Sequence, residues 1–147
     1  MNNAIMNSLF FLVPFVVDQV TKNWAIKELV VPWPVFPFLK FELFYNRGVT
    51  WGLFNADGYF SIVTLVVIAV ALMLIVSTLN SFKQGKDVRP QLLILSGAAS
   101  NILDRIVHSG VVDFITVHFG SWYWPTFNIA DVCIVLGVFW MFISYEE

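Results

Sequence analysis

The chain has 147 residues, long enough for one domain, and 59% of them are hydrophobic while only 12% are charged. Because about a quarter of the residues in an average soluble domain are charged, this composition and a mean hydropathy of +0.78 indicate a membrane protein. The formal net charge of −2, with scattered basic residues, argues against nucleic-acid binding. The single cysteine, Cys133, excludes an intrachain disulfide and argues against a cysteine-based zinc site.

The first apolar segment, residues 8–26, is predicted to be a retained transmembrane helix. A cleaved signal peptide fits poorly, because no Lys or Arg precedes the segment and it continues past Asp18 without a small-residue cleavage site. Asp18 and Lys22 are four residues apart, so on a helix they share a face and can form an ion pair. Two interpretations of this pair remain open: it offsets its own charge inside the membrane, or it supports a functional site.

Residues 32–58 differ from the apolar segments, because they contain three prolines that exclude a continuous helix. Polar and apolar side chains alternate over 39–43, which is typical of a β-strand. Residues 46–48 predict a turn, and 49–51 predict a second strand that pairs back. The region is rich in aromatic residues, as are segments that lie among lipid headgroups. We therefore predict a small β-sheet on the outer surface of the membrane.

Three further apolar segments are predicted to cross the membrane, over residues 59–80, 91–107 and 127–144. The first of them is uncharged and, as a helix, is roughly 33 Å long, more than a hydrocarbon core of about 30 Å. The short segment 81–89 is basic, and the positive-inside rule places it in the cytoplasm. Four crossings put both termini in the cytoplasm and residues 109–126, which contain no Lys or Arg, outside. The predicted fold class is a membrane all-α protein with four transmembrane helices and a small interfacial β-sheet on the outer side.

This topology brings the polar residues of the helices and of the outer connections to one depth. The first and third helices run outward, so polar residues near their carboxyl ends approach the outer interface. The fourth helix runs inward, and its aspartate lies about one turn from its outer start. Charged groups at membrane depth are costly and usually functional, so their convergence predicts a site near the outer face. The converging residues are Asp18, Lys22, Asn46, Asn101, Asp104, Arg105, Asp113 and Asp131.

Carboxylates, amides and one guanidinium are the chemical groups that this site offers. Gly97, Asn101 and Arg105 recur every four residues and share a helix face, where the glycine permits close packing of a neighbouring helix. Asn128 and Asp131 are three residues apart and also share a face.

Hydrolysis by an aspartate pair is the chemistry that these groups favour. The chain contains neither G-x-S-x-G nor H-E-x-x-H, and His108 and His118 are interpreted as interfacial residues rather than metal ligands. Two carboxylates a few ångström apart share one proton, so one can activate water while the other polarises or protonates a scissile carbonyl. Asp113 and Asp131 are the best candidates, one from a loop and one from a helix start. No metal and no cofactor are expected.

These residues and their order resemble the lipoprotein signal peptidase family (signal peptidase II), the aspartyl proteases of the bacterial inner membrane. The resemblance spans nearly the whole chain, and its last two motifs together are highly specific. The matching motifs are Asp18-Gln19-x-x-Lys22, Asn46-x-Gly48, Gly97-Ala98-x-x-Asn101-x-x-Asp104-Arg105, Val112-Asp113-Phe114 and Phe127-Asn128-x-Ala130-Asp131.

The resemblance implies an activity and a role for each motif. The substrate is a prolipoprotein whose lipobox cysteine already carries diacylglycerol, and cleavage occurs just before that cysteine. Asp113 and Asp131 are the implied catalytic pair, with Asp18 and Lys22 in support. The partners are this substrate and membrane lipid, and a monomer is expected. The other residues that it places at the site are Asn46, Gly48, Gly97, Asn101, Arg105, Asn128 and Ala130.

The chain departs from the family pattern at a few positions. Ser96 and Ser100 stand where many members have glycine, and 49–51 reads Val-Thr-Trp where Ala-Ala-Phe is common. Two other functions remain open, a small ion or proton transporter and a non-catalytic assembly factor. A transporter predicts polar residues through the full membrane depth, whereas 59–80 is uncharged. A non-catalytic assembly factor would not account for the pair of aspartates.

Overall fold

The structure, a computed structural model, describes residues 3–48 and 60–145. These residues form helices and one antiparallel sheet with strand order β1-β2-β3-β4. In chain order the elements are α1 (Asn3–Glu28), β1 (Trp33–Phe36), β2 (Leu39–Asn46), α2 (Phe60–Lys83), α3 (Arg89–His108), β3 (Val111–Phe119), β4 (Trp122–Tyr123) and α4 (Ile129–Tyr145).

All four predicted helical segments are helices, and they differ in length and polarity. Within the described ranges, Ala4–Glu28 and Phe60–Lys83 are the two helices both long and apolar enough to cross a membrane. Ile129–Ser144 is apolar but shorter, and α3 carries buried polar side chains along its length. The helical part of the predicted fold class is confirmed, and length and composition make α1 and α2 candidate membrane spans.

Helix α3 is the centre of the bundle, because α1, α2 and α4 all pack against it. Two glycines permit its close approach to α4. A Cβ atom at Gly97 would overlap the carbonyl oxygen of Ala130, and one at Gly137 would lie 2.6 Å from the Cγ1 atom of Ile94. The predicted role of Gly97 in close helix packing therefore holds, and the packing brings α3 directly against the first turn of α4.

The sheet lies beyond the carboxyl end of α3 and packs on α1. Its central strands β2 and β3 are antiparallel, with Phe44 opposite Asp113 and an irregular register between Phe41 and Phe44. Phe114 of β3 is buried in a cluster with Ala25 and Leu29 from the end of α1 and its exit. The sheet is therefore fixed to the bundle through the strand that carries Asp113.

Some element boundaries differ from the predicted ones for identifiable reasons. The fourth helix begins at Ile129 rather than 127, because the residue before it acts as its cap. The segment 109–126, predicted only as an outer connection, contains the strand that pairs with β2. The edge strand β1 contains Pro34, which an edge position tolerates. The predicted return strand 49–51 lies outside the described residues.

Candidate active site

Asp131 lies in the first turn of α4, and its side chain takes part in starting that helix. Asn128 precedes the helix and accepts the Asp131 N–H at its Oδ1 atom, at 2.9 Å. Asp131 in turn accepts the Asn128 N–H at Oδ2, at 3.3 Å. This reciprocal pair is a capping box built from an asparagine and an aspartate. The helix start therefore holds both side chains in one geometry.

Asp113 lies on β3 and reaches the same point from the sheet. Its Oδ1 atom accepts a hydrogen bond from Asn128 Nδ2 at 2.7 Å, and its Oδ2 atom accepts one from Asn46 Nδ2 at 3.2 Å. Asn128 thus contacts both Asp113 and Asp131. A single buried asparagine, through its side-chain and backbone amides, holds the strand carboxylate beside the helix carboxylate.

Asn101 connects this aspartate pair to α1. Its Nδ2 atom donates to Asp131 Oδ1 at 2.9 Å, and its Oδ1 atom accepts from Lys22 Nζ at 2.8 Å. Because an ammonium group can only donate hydrogen bonds, the amide oxygen must face Lys22 and the amide nitrogen must face Asp131. Asn101 is therefore held in the orientation that supplies a donor to the carboxylate.

A buried ion-pair cluster lies behind Asn101. Lys22 Nζ is 2.7 Å from Asp18 Oδ2 and 2.8 Å from Asp104 Oδ2, and each of these side chains is at most 2% exposed. Asp104 also accepts the Val112 N–H at 3.0 Å. The ion pair predicted for Asp18 and Lys22 is present, and Asp104 joins it. Buried charges are stable only when paired and hydrogen-bonded in this way.

Arg105 organises the loop that follows β2. Its Nη2 atom donates to the Gly48 carbonyl oxygen, while the Gly48 N–H donates to Asn46 Oδ1 at 3.0 Å. Asn46 in turn donates to Asp113. The Arg105 side chain is buried, and its Nη1 atom has no hydrogen-bond partner within 3–48 and 60–145. The guanidinium therefore positions the loop through Nη2, while Nη1 donates to no acceptor in those ranges.

The environment of Asp113 favours its protonated form. Burial raises the pKa of the Asp113 carboxyl to about 8, and repulsion from Asp131 acts in the same direction. Hydrogen bonds from Asn46 and Asn128 and the charge of Lys22 oppose that shift. A proton at this carboxyl lets the two acids lie close together, because two adjacent negative charges would repel each other.

Comparison with known proteins decides the family of this arrangement. The family description "Signal peptidase (SPase) II" matches residues 10–145. The lipoprotein signal peptidase of Pelagibacter ubique (strain HTCC1062) is 36% identical over 146 residues, 95% of this chain and 86% of that protein. This chain belongs to the signal peptidase II family. The lipoprotein signal peptidase of Aquifex aeolicus (strain VF5) is 38% identical over 133 residues, 89% of this chain and 80% of that protein.

The fold also has a counterpart among solved structures. A bacterial membrane enzyme determined by the in meso method at 2.3 Å resolution superposes with a TM-score of 0.78 at 24% identity. The match covers 96% of this chain and 87% of that one. This likeness concerns the fold alone.

Membership of the signal peptidase II family decides against one alternative that the sequence left open. It identifies a protease of lipoprotein processing rather than a transporter. Together with the apolar helices, it indicates a bacterial membrane protein. The resemblance stated from the motifs is thereby confirmed.

The predicted site residues of this signal peptidase II chain converge, with different degrees of contact. Asn46, Asn101 and Asn128 bond the two aspartates directly. Gly97 serves helix packing, and the Ala130 N–H donates to Asp18 rather than to either of those aspartates. Each of these positions belongs to one of the motifs from which the resemblance was drawn.

Sequence reasoning missed three contributors. Asp104 is one of the converging polar residues, but neither the spacing nor the resemblance gives it a role, and the sequence assigns no role to Gln19 or Ser100. In the structure Gln19 Nε2 donates to Asp104 Oδ1 at 3.0 Å and to Ser100 Oγ at 2.8 Å. The i, i+4 spacing of Ser100 and Asp104 could have indicated a shared face toward α1. Their partners on α1 could not be read from that spacing.

Proposed function

We propose that this signal peptidase II family member is an aspartic endopeptidase with Asp113 and Asp131 as its catalytic pair. The observation that carries the proposal is the position of Asn128 between the two aspartates. Its side-chain amide donates to Asp113 Oδ1, and its backbone N–H donates to Asp131 Oδ2. Two carboxylates from different elements meet at one asparagine residue, and paired carboxylates are suited to acid–base hydrolysis.

The proposed mechanism uses one proton shared by the pair. The ionised carboxylate removes a proton from a water molecule as that water attacks the scissile carbonyl carbon, and the protonated carboxyl donates its proton to the carbonyl oxygen. Collapse of the tetrahedral intermediate then breaks the C–N bond, with a proton passing to the leaving amine. The raised pKa of Asp113 supports a pair that holds one proton at neutral pH.

Three asparagines and Arg105 are proposed to hold this geometry and the substrate backbone. Asn46, Asn101 and Asn128 supply donors to the carboxylates, which orients them before substrate binds. The Nη1 atom of Arg105 has no hydrogen-bond partner among the described residues, and it is suited to a peptide carbonyl of the substrate.

The proposed substrate is a prolipoprotein whose lipid-modified cysteine follows the scissile bond, cleaved at the outer face of a bacterial inner membrane. The aspartates lie at the carboxyl end of α3 and the amino end of α4, beside the sheet. Lys83 and Lys86 lie at the opposite end of the bundle, which the positive-inside rule places in the cytoplasm. We propose four crossings, cytoplasmic termini and a monomeric enzyme.

Cleavage of a lipidated prolipoprotein by Asp113→Asn, Asp131→Asn and the double variant tests the catalytic pair. Each single variant should lose at least about a thousandfold in kcat, and the double variant should lose little more, because the carboxylates act as one unit. Thermal unfolding in detergent checks that each variant is folded. A well-folded single variant that cleaves at a near-normal rate removes that residue from the pair.

Labelling of single cysteines tests the orientation. In a Cys133→Ser background, Gln84→Cys should be protected from an impermeant thiol reagent in intact cells, whereas Ser121→Cys should react. Both positions are exposed, so reactivity reports the side of the membrane. The reverse pattern would place the site on the cytoplasmic face and contradict the proposed location.

We also expect cleavage to continue after metal removal. The oxygens of both aspartates accept hydrogen bonds from amide N–H groups, and these donors turn positive hydrogens toward the place that a cation would occupy. Activity measured before and after EDTA treatment should be equal. Loss with EDTA and recovery with zinc would contradict the aspartic mechanism.

A further inference from the structure

Two buried serines of α3 bond to α1, but their partners differ in charge. Ser96 and Ser100 are both 0% exposed. Ser96 Oγ donates to the Phe11 carbonyl oxygen at 2.7 Å, a neutral acceptor one helix away. Ser100 Oγ donates to Asp18 Oδ2 at 2.6 Å, an ionisable acceptor. Only the second hydroxyl acts on a carboxylate.

The direction of the Ser100 hydrogen bond is determined by its neighbours. Gln19 Nε2 faces Asp104 Oδ1, so this atom of the amide is a donor. The same Nε2 atom lies 2.8 Å from Ser100 Oγ and therefore donates to it. The hydroxyl accepts from Gln19 on one side, and its own hydrogen points to Asp18.

Asp18 connects Ser100 to the start of α4, because its two oxygens bond different elements. Its other oxygen, Oδ1, accepts the N–H of Ala130 at 2.7 Å. That amide belongs to the first turn of α4, where N–H groups have no partner within the helix. Ala130 directly precedes Asp131, so the Asp18 carboxylate fixes the backbone from which Asp131 projects.

We propose that Ser100 is a positioning residue for the peptidase reaction, acting through Asp18 and the Ala130 amide on the placement of Asp131. This inference rests on the proposed function, because it takes Asp131 as a member of the catalytic pair. Ser100 touches neither aspartate of that pair within the described contacts. Its hydroxyl keeps Asp18 in the rotamer that caps α4, while Lys22 bonds the same Oδ2 atom.

The test compares Ser100→Ala with Ser96→Ala as a matched control. Both changes remove one buried hydroxyl that joins α3 to α1, so both should lower the melting temperature. Only Ser100→Ala should lower kcat, by about tenfold, the effect of one hydrogen bond to a charged group. KM should stay unchanged, because Ser100 does not contact the substrate in this proposal.

Ser100→Cys separates hydrogen bonding from packing. A thiol fills the space of the hydroxyl but is a weak donor, so this variant should lose no more stability than Ser100→Ala and still show the lower kcat. If Ser100→Ala does not fold, Ser100→Cys still shows whether the Ser100 hydroxyl affects kcat. Parental kcat in folded Ser100→Cys would overturn the proposal, as would equal kcat losses in Ser100→Ala and Ser96→Ala.

Asp131→Asn, assayed with the same substrate, separates this inference from the proposed function. If Asp131→Asn is inactive and the Ser100 variants keep parental kcat, the positioning role alone fails. If folded Asp131→Asn cleaves normally, the catalytic pair itself is wrong and the Ser100 proposal fails with it.

Discussion

The two charged clusters at opposite ends of α3 have similar chemistry and very different surroundings. At the carboxyl end, Asp18, Lys22 and Asp104 are each at most 2% exposed. Just before the amino end, Asp87 and Arg89 form a bidentate pair with N–O distances of 2.6–2.9 Å, and these side chains are 40–41% exposed. Short distances alone do not separate a structural cluster from a surface pair.

Burial makes these two clusters unequal in energy. Removing one member of a buried ion pair leaves an uncompensated charge in a medium that cannot solvate it. At the other end, water can replace the partner, and exposed pairs contribute little. Arg89 holds the pKa of Asp87 below its usual value mainly through their side-chain hydrogen bonds, yet that pair lies far from the aspartates of the site.

The largest effect is expected from Lys22→Met. This change leaves two buried carboxylates without their cation and should cost about 3–5 kcal/mol of stability, with loss of cleavage. Thermal unfolding in detergent measures the first effect and prolipoprotein cleavage the second. Lys40→Met is the matched control, because its pair with Glu42 is 22–27% exposed. Equal stability of both variants would contradict the energetic difference between buried and exposed pairs.

Raising the pH should remove the proton shared by Asp113 and Asp131 and reduce cleavage, while the exposed pair of Asp87 and Arg89 is unaffected. With the pKa of Asp113 at about 8 in the substrate-free protein, kcat/KM should fall about tenfold per pH unit above pH 8 as the shared proton is lost. The stability of the fold should also decrease as the pH rises. The folded pKa exceeds the unfolded value of about 3.9, so the stabilising contribution present at low pH is lost as the pH rises to about 8. An unchanged rate up to pH 10 would contradict this assignment.

Arg105→Lys should reduce cleavage by about tenfold while keeping the positive charge. The planar guanidinium of Arg105 donates from Nη2 to the Gly48 carbonyl oxygen, and its Nη1 atom is a second donor that points away from this bond. A lysine has no such planar group. Arg89→Lys, at the other end of the same helix, is the control and should cleave normally. The ratio of kcat values for the two variants is the informative quantity, and a ratio near one would make Arg105 an ordinary interfacial charge.

The smallest effect is expected from Asp87→Asn. Removing this carboxylate leaves Arg89 beside the rings of Phe10 and Trp140, at 5.9 Å and 5.6 Å from their centroids, and open to water. Melting temperature and kcat should both match those of the parent within error. A large loss of stability would show that the exposed cluster also holds the helices together.

Local patterns predicted the helices and the members of the site better than they predicted the sheet. The four helices fall on the predicted segments, because long uncharged or weakly charged apolar runs specify helices in a bilayer. The β2 strand follows from its alternation, but its long-range partner, β3, was not identified. Strand pairing joins residues such as Phe44 and Asp113 that are distant in sequence, and alternation contains no information on the partner.

The sequence by itself determined the apolar character of the chain, the i, i+4 contact of Asp18 with Lys22 and, through its motifs, the family. These features depend on composition, helical periodicity or residues close in the chain. Only the tertiary structure decided that Asp104 joins this pair, that Asn128 bonds both Asp113 and Asp131, and that Asp18 caps α4. In each case a buried polar group must find its partner on another element, and packing alone decides which partner lies within hydrogen-bond distance.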